Sequence, residues 1–194
     1  MLAVTTSVAG EFSTRVIASG LNRPTGIVAG DEELYFTEVP NPATPNAGNG
    51  VKRLDLDDGT VTVVNTGEPE PVNLAMDRHG QIYWTCKTAG VILERNKHGE
   101  IGVLLDGLNH PVGIALNRQG DRLYWTEVPT PGVGGASGGQ NKVWELNLRT
   151  MKKTLVDAGD PEPTDIAVGH DGDIYWTCTS AGVIVEASRE RRRH

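Results

Sequence analysis

The chain has 194 residues, a formal net charge of -7 and 38% hydrophobic content, the scale of one globular domain with enough apolar material for a real core. The acid excess argues against a nucleic-acid partner, which needs Lys and Arg clustered on one face, and no run of about 18 apolar residues is present to span a membrane. With 24 Gly and 11 Pro, the composition suits short strands joined by many turns, so an all-β class is expected.

Residues 1–10 form an N-terminal extension without the basic start and long apolar stretch of a signal segment, which leaves the compartment open between secreted and cytoplasmic. A strand over Ser13 to Ala18 follows and has no counterpart elsewhere. From there the chain repeats itself. GLNRPTGI at Gly20 to Ile27 returns 87 residues later as GLNHPVGI at Gly107 to Ile114. The stretch Gly67 to Ile92 returns 92 residues later at Gly159 to Ile184. Two homologous halves result, about 20–106 and 107–188.

Within each half a finer repeat is marked by Tyr35-Phe36-Thr37-Glu38, Tyr83-Trp84-Thr85-Cys86, Tyr124-Trp125-Thr126-Glu127 and Tyr175-Trp176-Thr177-Cys178. These four motifs hold all four Tyr and three of the four Trp, so the aromatic content sits at one repeated core position. Each unit reads as four short strands. For the second unit they are Val72 to Asp77, Gln81 to Lys87, Gly90 to Asn96 and Glu100 to Leu105, with turns at Asp77 to Gly80 and Lys97 to Gly99. A four-stranded meander repeated four times predicts a β-propeller of four antiparallel blades within residues 11–188.

The fourth unit stops after its third strand, Gly182 to Ala187, which suggests that Ser13 to Ala18 completes the last blade and closes the ring without an exposed edge. Residues 189–194, RERRRH, read as a basic tail. Cys86 and Cys178 occupy matching places in the two halves, so they look like products of duplication rather than a disulfide framework.

The P-x-G-I then Y-W-T-[DE] spacing resembles the YWTD class of propellers, and LYFTE after PTGI is also similar to streptogramin lyase and NHL-type repeats. The resemblance covers nearly the whole chain. It implies a blade strongly and a function poorly, because those families include receptor ectodomains, scaffolds, lyases and sugar-lactone hydrolases. Such relatives commonly have six or more blades, so four units imply either a tight monomeric ring or a homodimer with eight blades.

One face concentrates the irregularity, since the long second-to-third-strand loops, Val39 to Asn49 and Val128 to Asn141, both emerge there. Glu38 and Glu127 end their strands toward that face, as blade-joining hydrogen-bond acceptors or as a pair of catalytic carboxylates. His110 is the neutral-pH proton carrier nearest to it. Arg23, Glu70, Asn73, Glu162 and Asp165 surround the channel mouth as candidate ligand-binding groups. No cofactor is required by any motif; a hard cation such as Ca2+ or Mg2+ would take Asp165 and Asn73 as oxygen ligands. The reading that assumes least is a propeller binding a small molecule or a protein partner on this face, and the alternative is a lyase, cyclase, isomerase or hydrolase at the same place, with or without a metal.

Overall fold

The computed structural model describes residues 7–9, 12–39, 49–67, 70–128 and 140–189, all of them strand, turn or irregular backbone. Among the described residues there is no helix, and so none long and apolar enough to cross a membrane.

Blade one runs β3 (Pro24–Ala29), β4 (Glu33–Glu38), β5 (Gly50–Asp55) and β6 (Val61–Thr66). Blade two runs β7 (Pro71–Met76), β8 (Ile82–Cys86), β9 (Val91–Arg95) and β10 (Ile101–Leu105), within a residue or two of the bounds expected from sequence. Blade three has β11 (Pro111–Leu116), β12 (Arg122–Glu127), β13 (Lys142–Asn147) and β14 (Lys152–Ala158). Blade four has β15 (Pro163–Val168), β16 (Ile174–Cys178) and β17 (Val183–Ala187). Every blade is an antiparallel meander in chain order.

The alternation of side chains along each strand turns one face of a blade toward the next blade and the other toward the one before. Tyr35 and Val51 of blade one meet Leu74, Trp84, Cys86 and Leu93 of blade two. Tyr83 and Ile92 of blade two meet Ile114, Trp125 and Leu146 of blade three. Tyr124 and Val143 of blade three meet Ile166, Trp176 and Cys178 of blade four. The core is thus three equivalent layers between blades, and the repeated aromatic motif supplies two residues to each layer, Tyr facing forward and Trp facing back.

Close approach at the centre of the ring requires glycine. A Cβ on Gly113 would lie 2.9 Å from both Asp165 Cα and Thr164 O, and one on Gly26 would lie 2.9 Å from Asn73 Cα. Each first strand is also bulged just after its proline, and the threonine of the aromatic motif reaches into the bulge. Gly26 N donates to Thr37 Oγ1 at 2.8 Å, Gly113 N to Thr126 Oγ1 at 2.9 Å, and Asn73 N to Thr85 Oγ1 at 3.3 Å. Thr37 Oγ1 donates onward to Val72 O of blade two at 2.9 Å, and Thr85 Oγ1 to Val112 O of blade three at 2.8 Å. One hydroxyl therefore rivets its own bulge to the next blade.

The ring differs from expectation at its seam. β2 (Phe12–Thr14) pairs with β1 (Ser7–Ala9) as a separate hairpin, and the fourth blade has three strands among the described residues. The first strands of successive blades pack on one another from one to four, but no comparable packing joins β15–β17 to β3–β6 among the described residues. Arg15, Val16 and Ile17 instead line a cleft with Leu54 and the Asp55 to Gly59 turn of blade one. Strand pairing to blade four needs β17 within hydrogen-bonding reach, and an arc that leaves blades one and four unpacked does not bring it there.

Candidate functional site

Antiparallel order places the start of each first strand and the end of each second strand on one face, where the loops 39–49 and 128–141 begin. Residues 40–48 and 129–139 of those loops lie outside the described residues.

Immediately before the proline that opens each blade stands a residue with a left-handed backbone: Arg23 (φ 47°), Glu70 (φ 52°), His110 (φ 50°) and Glu162 (φ 48°). This conformation is rare for residues with a Cβ. Here it turns each carbonyl back across the blade to accept the N–H that follows the second strand: Val39 N to Arg23 O, Lys87 N to Glu70 O, Val128 N to His110 O and Thr179 N to Glu162 O, all at 3.0 to 3.4 Å. The side chains are left on this face of the blades, Arg23 and Glu162 exposed, Glu70 and His110 half-buried. Thr88 and Thr179 hydroxyls contact the Glu70 and Glu162 carboxylates.

At the first strands of blades two and four the structure brings together Asn73 and Asp165. Asn73 Nδ2 donates to Asp165 Oδ1 at 3.1 Å, linking blade two to blade four. Asn73 Oδ1 accepts from Leu74 N, and Asp165 Oδ1 also accepts from Ile166 N. Among the described residues no three His, Cys, Asp or Glu side chains converge as a metal-binding group.

Glu38 and Glu127 are each held within their own part of the ring. Glu38, 0% exposed, accepts from Asn22 N at 2.9 Å and pairs with Lys52 Nζ at 2.6 Å. Glu127, 4% exposed, accepts from Trp125 Nε1 at 3.1 Å and has Lys153 Nζ at 3.9 Å. In blade three the lysine comes from a different strand, and it gets there over aromatic faces: Lys153 Nζ sits 4.0 Å above Trp144 and 5.2 Å above Trp125, whose rings stack at 6.3 Å. Desolvation against these rings lowers the Lys153 pKa, and the Glu127 carboxylate opposes that shift.

Cys86 and Cys178 are buried free thiols. Burial, then the Asp160 and Asp157 charges, push the Cys178 thiol up, away from the thiolate a nucleophile needs. Three contributors escaped the sequence reading. The threonine rivets sit inside a motif conspicuous for its aromatics. Lys52 and Lys153 occupy unrelated sequence positions. Arg189, assigned to the tail, donates to Tyr124 OH at 3.1 Å and pairs with Glu145, which also binds Arg122, so it fastens the end of blade four to blade three.

The architecture and the repeated motif define a β-propeller of four antiparallel blades. No protein-family model matches the chain. It is similar to a low-density lipoprotein receptor-related protein 1 of Pyricularia oryzae, 26% identical, over 84% of this chain and 60% of that protein. Its fold is similar to a chain of a nidogen/laminin complex, with TM-score 0.68 and 18% identity over 86% of this chain and 60% of that one. It is similar also to streptogramin B lyase, with TM-score 0.63 and 19% identity over 90% and 57%. The chain thus spans 60% or less of the length of each of these three.

Proposed function

We propose that the chain is a binding β-propeller that takes a protein or small-molecule ligand on the channel-mouth face. The observation that carries this reading is the ring of four left-handed residues, which presents Arg23, Glu70, His110 and Glu162 at equivalent points of four blades. Backbone strain repeated at one position holds a mixed-charge rim on a rigid scaffold. Proteins with this fold include both a member of a nidogen/laminin complex and a lyase, so the fold itself serves binding and catalysis alike. The catalytic alternative, with Glu38, Glu127 and His110 as acid and base, has less support, because Glu38 and Glu127 are buried and each faces a lysine.

The test is a native mass spectrum of protein purified without chelator, followed by affinity capture with wild type and with a variant carrying Arg23→Asn, Glu70→Asn, His110→Asn and Glu162→Asn. Asparagine tolerates the left-handed backbone, so the scaffold is kept. A bound species lost by the rim variant, but kept by an Asp31→Asn, Glu32→Gln control on the opposite face, supports the proposal. Equal retention by the rim variant overturns it. A Ca2+ or Mg2+ ion that disappears in Asp165→Asn would replace the binding reading with the metal-assisted one.

A further inference from the structure

The three layers between blades share one pattern, and the two ends of the arc display its two halves. On the forward side, the threonine of the aromatic motif and its neighbour across the next strand are buried in blades one to three: Thr37 with Val51, Thr85 with Ile92, and Thr126 with Val143 are all fully covered. Their counterparts in blade four are Thr177 and Ile184. Thr177 is exposed, and Ile184 is 74% exposed. Thr177 Oγ1 is engaged only within its own blade, by Thr164 Oγ1 and Asp165 N, where Thr37 and Thr85 also reach the carbonyl of a following blade.

The rear side mirrors this. Leu74, Ile114 and Ile166, each packed against the blade before, are buried, whereas the equivalent Ile27 of blade one is 64% exposed. Pro24 is exposed where Pro71, Pro111 and Pro163 are buried. Thr25 stands where Val72 and Val112 offer their carbonyls to the preceding blade. Finally, β17 has one free edge in a three-stranded sheet, and the segment 15–17 lies beside blade one without a strand partner.

From these complementary ends we infer that a second copy of this chain docks head to tail, the forward face of blade four of one copy on the rear face of blade one of the other. The contact continues the interface already made three times inside the chain: Ile184 packs on Ile27, Thr177 donates to the Thr25 carbonyl, and the 15–18 segment of one copy comes up to the free β17 edge of the other. The rear face that blade four lacks is the face that blade one shows. A pair of copies that makes this contact twice, Ile184 on Ile27 and Ile27 on Ile184, closes on itself with two-fold symmetry.

The experiment is sedimentation velocity and native mass spectrometry of the 194-residue chain over a dilution series, for wild type, Ile27→Asp and Ile184→Asp. Both substitutions fall at exposed positions, so circular dichroism and, at dilutions where the chain is monomeric, the unfolding transition should match wild type. The expected result is a dimer in wild type and association weakened at least about tenfold in each variant, as for truncation of a central interface residue. A chain that stays monomeric at every concentration overturns the inference and assigns the two faces to another occupant, such as further blades. A dimer untouched by either substitution overturns it as well.

Discussion

Replacing Thr85 by Val isolates the rivet that joins blades, since the two side chains have the same shape and differ only in the hydroxyl. Thr85 is fully buried, accepts from Asn73 N and donates to Val112 O at 2.8 Å. Its loss leaves one N–H and one C=O without partners, each costing about 1–3 kcal/mol when buried. Both partners are only half-buried, and the new methyl recovers roughly 0.8 kcal/mol of apolar burial. The net is a destabilisation of about 2 kcal/mol, which for a domain of this size lowers Tm by about 4–8 °C. Thr177→Val is the internal control. It stands at the same place in the motif, faces solvent and makes no bond to a following blade among the described residues, so its effect should stay within about 0.5 kcal/mol. Urea unfolding of both variants, at dilutions where the chain is monomeric, gives the comparison. A Thr85→Val variant within about 0.5 kcal/mol of wild type would refute the rivet account, and a Thr177→Val cost equal to that of Thr85→Val would refute the open seam.

Four further outcomes are expected. Gly113→Ala forces its Cβ to 2.9 Å from Asp165 Cα and Thr164 O, so it should destabilise by about 1–3 kcal/mol in chemical denaturation, as overpacking does. Arg23→Gly or Glu162→Gly relieves a left-handed backbone and should leave stability unchanged or raise it by up to about 1 kcal/mol, read as a Tm shift. Burial and the neighbouring Asp160 charge raise the Asp157 pKa above 3.8, so the folded chain holds that proton more tightly and loses stability as pH rises through the raised value. Asp157→Asn should therefore raise Tm near neutral pH, with the gain vanishing as the pH falls below the unfolded value. Both cysteines should resist iodoacetamide in the folded chain and react on unfolding, because they are buried and the Cys178 thiol is pushed up; rapid labelling of either one in the native state would contradict this.

That the candidate residues share one face is legible in the repeat. Gly26, Asn73, Gly113 and Asp165 fall at one repeated point of the sequence, as do Arg23, Glu70, His110 and Glu162, and a repeat that is a blade must present equivalent residues at equivalent places on one face. What those residues do there was not legible. Glu38 and Glu127 read identically as motif ends, yet Lys52 reaches the first from the adjoining third strand, while Lys153 reaches the second across two indole rings. Cross-strand partners are chosen by register, and residues 14 and 26 positions downstream give no local signal of it.

The sequence by itself determined the blade: strand alternation, the prolines and glycines at the turns, and the recurrence of Tyr, aromatic and Thr at one place are local patterns that depend on each unit alone. Only the tertiary structure decided how the blades are joined and where they stop. The spare strand Ser13 to Ala18 and the missing strand of blade four matched by count, but pairing needs two edges within reach, and the observed arc leaves the outer edge of β17 without a strand partner among the described residues and turns 15–17 against blade one. Counting strands gives the stoichiometry of a ring. Closure is set by the angle between packed blades, which arises from side-chain contacts between strands far apart in the chain and is written in no single repeat.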